Sequence, residues 1–286
     1  MTPKEILNHY AIKPRKKFGQ SFLIDQGSIE RIAQIADVEQ QNIVVEIGAG
    51  IGVLTERLAQ KADRVIAVEL DHQLVEVLKD RLSQYQNVEI HHVNILRFDF
   101  RKIAGSENQK IKVVGNIPYN ISSPLLFYLL SFKDIIHSFT LTMQKEFIER
   151  LVASPGNKSY GVPSVILQMF ATMEKIINVP AACFYPVPKV ESSVMTGIFN
   201  KQSRIQLNDE DYFIKVVRDS FAQRRKMIFN NLKKSTLMKG LDESVLKESL
   251  SLASIEGQRR AETLTVEEFG NLSNILMNKI KGCVEN

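Results

Sequence analysis

The chain has no tryptophan and only two cysteines, Cys183 and Cys283, among its 286 residues. Two thiols so far apart in sequence make neither a Cys-x-x-Cys pair nor a metal-ligand spacing. That excludes a disulfide-stapled secreted scaffold and a zinc-ribbon type of site, and it points to structural thiols in a reducing compartment. Long apolar runs are missing as well. The run from Pro124 to Leu130, with Tyr128 inside it, is far short of the ~20 residues a spanning helix needs. Charges occupy the N-terminus where a secretory leader would be apolar. There is no internal repeat and no low-complexity tract. A cytoplasmic protein with no membrane partner is the expectation.

What is present is a chain able to fold. Hydrophobic residues make up 44% of it, enough for a sizeable core, and the length suits one large domain with a smaller one behind it. The net charge of +5 is unevenly spread. Residues 1–20 set Lys4, Lys13, Arg15, Lys16 and Lys17 against Glu5, and residues 201–239 hold ten Lys or Arg against four acidic residues. Two basic blocks thus flank a slightly acidic body, a distribution suited to gripping a polyanion from two sides. Solvated helix faces would produce the same clusters.

Strand and helix patterns alternate from residue 42 onward. Asn42 to Ile47 reads as a strand, and Gly48-Ala49-Gly50-Ile51-Gly52 as a turn into a helix carrying Leu54, Leu58 and Ala59. Glycines let the backbone approach a bulky ligand closely, and a helix N-terminus offers unpaired N–H groups. The Gly-x-Gly-x-Gly spacing differs from the Gly-x-Gly-x-x-Gly of dinucleotide sites, because Val53 stands at the last position. A second strand, Arg64 to Val68, leads to Glu69, placed to accept from a pair of ribose hydroxyls. Helix 71–82, strands 88–93 and 111–115, helix 124–130, strand 139–143 and helix 145–152 continue the pattern, which predicts a parallel, doubly wound sheet. Residues 162–179 read as helical or extended, and a strand follows at Ser193 to Phe199. From Asp209 the periodicity is helical only, so the expected domains are 1–200 and 201–286.

The segment Val113-Val114-Gly115-Asn116-Ile117-Pro118-Tyr119-Asn120-Ile121-Ser122 is the centre of the functional reading. Pro118 cannot donate to a ladder, so the strand ends there and presents Asn116 and Tyr119 at its carboxyl end, where open α/β sheets bind ligands. An amide and a flat ring suit an amino-bearing base; a strand-ending turn with a surface tyrosine is the plainer alternative. Two other segments allow similar pairs of readings. Phe18-Gly19-Gln20-Ser21-Phe22-Leu23 could close over a ligand or simply dock the N-terminus. Phe184, at the head of a loop with two prolines, is read from spacing as core packing.

Taken together, these motifs resemble the small-subunit ribosomal RNA adenine dimethyltransferases of the KsgA/RsmA family, relatives of the erythromycin-resistance methyltransferases. The likeness runs through Phe18 to Leu23, Glu46 to Gly50, Asn116 to Ser122 and Phe184 to Ser192. It continues through Phe221-Ala222-Gln223-Arg224-Arg225-Lys226 and Arg260-Ala261-Glu262-Thr263-Leu264, which favour the small-subunit enzymes. The resemblance implies a Rossmann-like methyltransferase domain with a helical RNA-recognition domain. S-adenosylmethionine would be the methyl donor, without a metal, and the acceptor would be N6 of two adjacent adenosines near the 3′ end of 16S ribosomal RNA. It implies a monomer acting on the small ribosomal subunit during its maturation.

By the same resemblance, Ser21, Leu23, Gly48, Gly50, Glu69, Asn94 and Asn116 would line the cofactor. Asn116 and the Ile117 or Pro118 carbonyl would hold the adenine amine, and Tyr119 and Phe184 would hold the base. Arg15, Lys16, Lys17, Arg224, Arg225 and Lys226 are candidates for RNA phosphates. The chain departs from the family at Ser21, usually Asn, and at Asn94, usually Asp. The alternatives are a large-subunit methyltransferase of the resistance type and a non-catalytic assembly factor, the latter disfavoured by an intact Asn116 to Tyr119. A nicotinamide-dependent oxidoreductase is disfavoured by the glycine spacing.

Overall fold

In the computed structural model, residues 1–103 and 111–284 are described, and the chain divides into two compact units. One comprises residues 1–148 and 173–199, the other residues 149–172 and those from 200 onward. Residues 149–172, read from the sequence as part of the first domain, therefore cluster with the helical unit. No helix of the described residues is long and apolar enough to cross a membrane.

In the first unit, α1 (Pro3–His9), β1 (Phe22–Leu23) and α2 (Gln26–Ile35) precede an alternating run. That run is β2 (Ile43–Ile47), α3 (Val53–Ala59), β3 (Arg64–Glu69), α4 (His72–Arg81), β4 (Val88–His92), β5 (Ile111–Asn116), α5 (Ser122–Leu130) and β6 (Ile136–Gln144). After α6 (Lys145–Leu151) and α7 (Val162–Phe170), the chain continues as β7 (Ala171–Val179), β8 (Phe184–Tyr185) and β9 (Ser192–Phe199). Seven strands form one sheet in the order β4-β3-β2-β5-β6-β9-β7.

The sheet is parallel from β4 through β6. β9 departs from the all-parallel expectation by running antiparallel to β6, with Ser192 opposite Gln144. This reversal positions the site: the start of β9, and the proline loop before it, lie at the edge where β6 and the other parallel strands end.

All five residues of β2 are buried, which shows that both faces of the central strand are covered. On one face Ile29, Ile32 and Ala33 of α2 and Leu54, Leu58 and Ala59 of α3 pack with Val44, Val65 and Val114. Strand order reverses between β2 and β5, so their carboxyl ends open the crevice in which such sheets bind ligands.

Gly115 lets β2 and β5 approach at that point. A Cβ there would stand 2.7 Å from the Ile47 carbonyl oxygen and 2.9 Å from Ile117 Cδ1, and the backbone oxygen cannot move aside without breaking the ladder. Gly115→Ala is expected to destabilise the protein by about 1–3 kcal/mol through overpacking. Thermal unfolding should show a fall in Tm of roughly 2–10 °C; an unchanged Tm would mean that the strands can separate freely here.

The second unit contains α7, α8 (Glu210–Ser220), α9 (Ile228–Lys233), α10 (Glu243–Leu252) and α11 (Val266–Val284). Asp209 and Asp242 cap α8 and α10 by accepting the N–H groups of Tyr212 and Ser244, both at 2.8 Å. Phe213, Val216 and Val217 form the buried face of α8, and Phe213 meets Phe170 edge to face at 6.2 Å between ring centroids. Cys183 is a free thiol; the Cys283 side chain lies outside the described residues.

Candidate active site

A cavity of about 210 Å³ opens at the switch point, lined by the glycine turn, Glu69, Asn94, the Asn116 to Ile121 turn, the Lys17 to Leu23 segment and Phe184. Gly48, Gly50 and Gly52 all hold positive φ, at 69°, 60° and 80°, a region in which only glycine is unstrained. The turn folds back so that the Gly48 N–H donates to the Val68 carbonyl at 2.8 Å. Nineteen residues further on, the Glu69 carboxylate accepts the N–H groups of Gly50, Leu70 and Asp71 at 2.9, 2.8 and 2.9 Å. The glycine turn and the acidic residue are thus one hydrogen-bonded unit. A carboxylate has about four acceptor positions, so Glu69 retains capacity for a ligand hydroxyl. Burial raises its pKa, and the three backbone donors oppose that shift.

Glu46 also lines the cavity and is 3% exposed. Its Oε2 has no hydrogen-bond partner among the described residues. Burial pushes its pKa up to about 8, with the Thr55 hydroxyl opposing and the Glu69 charge adding. A carboxyl that is protonated when folded but ionised when unfolded destabilises the fold progressively as pH rises. The unliganded protein should therefore lose stability between about pH 4.5 and about 8. Glu46→Gln should flatten that slope, matching wild type near pH 4.5 and exceeding it at pH 8 in thermal unfolding. Parallel slopes for the two proteins would show that Glu46 ionises in the fold without penalty.

Asn94 caps a short turn, its Oδ1 accepting the Leu96 N–H at 3.0 Å. Asp, the residue the resemblance leads one to expect here, would make the same cap. The amide oxygen keeps a second lone pair, and Asn94 lines the cavity.

At the end of β5, the Asn116 Nδ2 donates to the Ser21 carbonyl at 2.8 Å. That contact orients the amide and leaves Oδ1 and the second Nδ2 hydrogen without a partner among the described residues. The next strand receives the Ile117 N–H at the Thr142 carbonyl, 2.9 Å. Pro118 lends its carbonyl to the Ile121 N–H at 3.0 Å, whereas the Ile117 carbonyl accepts no hydrogen bond among the described residues. Tyr119 is fixed by a 2.8 Å hydrogen bond between its hydroxyl and that of Ser192.

Phe184, which the resemblance assigns to holding the base, is one of the residues that line the cavity. It is 1% exposed and packed with Leu23 and Val194, so it backs the cavity wall in this conformation. The cause is the ribbon of β1 and β8, in which Leu23 pairs with Phe184 and Phe22 with Tyr185. One aromatic turns into the core and its neighbour turns out. Leu23 and Phe22 are themselves buried, so the N-terminal segment both docks on the core and walls the cavity. Ser21 links three segments, since its carbonyl holds Asn116 and its hydroxyl donates to the Pro186 carbonyl at 3.0 Å.

Two of the six candidate phosphate-binding residues have protein partners. Arg15 pairs with the buried Asp71 at 2.7 Å and donates to Gln73 at 3.1 Å. Gln20 joins them, donating to Asp71 at 2.9 Å while accepting the Arg15 N–H at 2.8 Å. This latch ties the cavity-lining N-terminal segment to the residue next to the Glu69 turn. In the sequence its partner Asp71 stands only as the first residue of the helix 71–82. Arg224 pairs with Glu262 at 2.7 Å and donates to the Lys158 and Tyr160 carbonyls, holding the loops of the helical unit. By contrast Lys16, Arg225 and Lys226 are exposed with no ion pair among the described residues, and the Lys17 ammonium lies 4.7 Å from the centre of the Phe18 ring. No cluster of three metal-ligating side chains occurs among the described residues.

A model of the family described as ribosomal RNA adenine dimethylase matches residues 11–277. The ribosomal RNA small subunit methyltransferase A of Syntrophus aciditrophicus (strain SB) is 39% identical over 274 residues, spanning 96% of this chain and 98% of that protein. Its counterpart of the same description from Geobacillus sp. (strain WCH70) is 40% identical over 282 residues, spanning 96% of each. Among solved structures, a dimethyladenosine transferase from Plasmodium falciparum superposes with a TM-score of 0.75 at 26% identity, covering 89% of this chain and 97% of that one. The 23S rRNA methyltransferase ErmE superposes with a TM-score of 0.68 at 25% identity, covering 90% and 99%.

Proposed function

The chain belongs to the ribosomal RNA adenine dimethylase family, and from that premise we propose that it transfers methyl groups from S-adenosylmethionine to N6 of two adjacent adenosines near the 3′ end of small-subunit ribosomal RNA. Relatives at 39–40% identity carry the small-subunit description, whereas the large-subunit enzyme is more distant. That ordering supports the small subunit over the resistance-type alternative. The cavity is complete within one chain, in keeping with a monomer as the active species.

The observation that carries this reading is the orientation of Asn116. With one Nδ2 hydrogen committed to the Ser21 carbonyl, the amide is held in one orientation, and its oxygen is the acceptor that an exocyclic amine requires. The residues also fit the cofactor. Glu69 would take ribose hydroxyls, Asn94 the adenine edge, and the positive-φ glycine turn gives backbone access for the methionine portion. When bound, S-adenosylmethionine supplies an electrophilic methyl group on a sulfonium. The chain's own residues do the rest. Asn116 Oδ1 and the Ile117 carbonyl accept the two N6 hydrogens, fix the approach, and favour a pyramidal nitrogen whose lone pair is less delocalised. Positive charge developing on N6 falls against both oxygens. Tyr119, fixed by Ser192, is the platform for the displaced base, and Phe184 backs the wall behind it.

The test is transfer of labelled methyl groups to isolated, unmethylated subunits. Label should enter small subunits; label entering large subunits alone would overturn the reading.

Docking of the polyanion falls to Lys16, Lys17, Arg225 and Lys226, because Arg15 and Arg224 hold the protein itself. Arg225→Ala with Lys226→Ala should lower the log–log salt slope of RNA binding by about 0.7–0.9 for each phosphate that is no longer neutralised. Arg224→Ala should instead lower the unfolding temperature. An unchanged slope in the double variant would remove these two residues from the interface.

A further inference from the structure

Eight large hydrophobic side chains stand exposed among the described residues, and three of them lie within six positions: Tyr185 at 46%, Val187 at 65% and Val190 at 42%. Lys189, between the valines, is also exposed and has no ion pair among the described residues. A cluster of this kind is uncommon on a soluble surface without a partner.

The segment is held rather than loose. At its start Tyr185 pairs with Phe22 across the two-stranded ribbon, and the Pro186 carbonyl accepts from Ser21 at 3.0 Å. At its end Glu191 pairs with Lys145 at 2.8 Å, and Ser192 hydrogen-bonds Tyr119 at 2.8 Å. Pro186 and Pro188 stiffen the span between. Every anchor except Lys145–Glu191 is made to a cavity-lining residue, so the exposed ring and valines form a fixed rim beside the proposed base platform.

We infer that this rim, residues 185–190, is a docking surface for the nucleotide next to the target adenosine, with Tyr185 stacking on its base and Lys189 meeting its phosphate. The inference rests on the RNA methyltransferase reading given above. An adenosine that leaves its stack strips its neighbour of a stacking partner. An aromatic ring held at the mouth of the cavity replaces that partner at little entropic cost, and stacking of this kind tolerates any base. Because Phe184 and Tyr185 are consecutive in one short strand, the same backbone that seals Phe184 into the core turns Tyr185 outward.

The test is methylation of unmethylated small subunits by the full-length protein and its Tyr185→Ala and Tyr185→Phe variants. Binding of a short adenosine-rich single strand carrying 2-aminopurine is followed in parallel by fluorescence. Tyr185→Ala should raise KM for the subunit roughly tenfold, as expected for removal of one base–aromatic stack. It should also relieve the 2-aminopurine quenching, with the S-adenosylmethionine dissociation constant unchanged. Tyr185→Phe should restore both signals. If wild type transfers methyl groups to small subunits but Tyr185→Ala leaves KM and quenching as they were, the rim does not touch RNA. If the Ala variant changes only the sedimentation of the protein, the face is a contact between copies, and the proposal is likewise overturned. Failure of wild type to methylate any subunit would instead strike the function itself.

Discussion

Asn116→Ala should lower single-turnover methyl transfer by roughly 100-fold or more, the scale of losing one preorganised polar partner at a reacting centre. The amide spans two tasks. Its nitrogen is bound to the Ser21 carbonyl at 2.8 Å, and its oxygen is the acceptor left for the adenine amine. Asn116→Asp separates them. The carboxylate would face the Ser21 carbonyl without a proton to share, so the side chain should turn away and activity should be lost although an oxygen acceptor is still present. Calorimetry on both variants should give a near wild-type affinity for S-adenosylmethionine. Turnover by Asn116→Ala within a few-fold of wild type would show that the amine is oriented by other groups.

Glu69→Ala should weaken S-adenosylmethionine binding by roughly 10- to 100-fold, corresponding to about 1.5–3 kcal/mol for hydrogen bonds to a charged acceptor. The structure adds a second cost. Three backbone N–H groups, from Gly50, Leu70 and Asp71, converge on this carboxylate, and truncation would leave them without an acceptor inside a buried site. The glycine turn should therefore loosen in the apo protein as well, visible as faster amide exchange at Gly50. Glu69→Gln keeps the shape and one oxygen, so its binding should fall between the two. An unchanged dissociation constant for Glu69→Ala would place the ribose elsewhere.

Much of this arrangement was legible in the residues, for physical reasons that also explain what was not. Strands β2, β3 and β5 are runs of β-branched residues that stop at glycine, acidic or proline-containing turns, so periodicity and punctuation agree. Residues 162–179 have no such punctuation. An apolar helix passes directly into a strand at Ala171, and the sequence could say only helical or extended. The direction of β9 was equally hidden, because strand sense depends on which edge the preceding loop crosses.

At the site, residue types were readable but their partners were not. Arg15 and Arg224 look like solvated cations until Asp71 and Glu262 are seen beside them, 56 and 38 residues away in sequence. Ser21 looks like a departure from a motif, yet what the site uses for Asn116 is its backbone carbonyl, which any residue would supply. Spacing places Phe184 in core packing, and that is where the fold holds it. In the sequence Glu46 stands only as the residue before a glycine motif, and its burial cannot be read from a strand end.

The central claim is the identity of the modified atom, and nucleoside mass spectrometry addresses it directly. Unmethylated small subunits would be incubated with the protein and S-adenosylmethionine, and their RNA digested and compared with synthetic standards. The expected product is N6,N6-dimethyladenosine, two residues for each subunit, formed by wild type and absent with Asn116→Ala. Methylation confined to a ribose hydroxyl or a ring carbon, or dimethyladenosine formed equally by the Asn116→Ala protein, would contradict it.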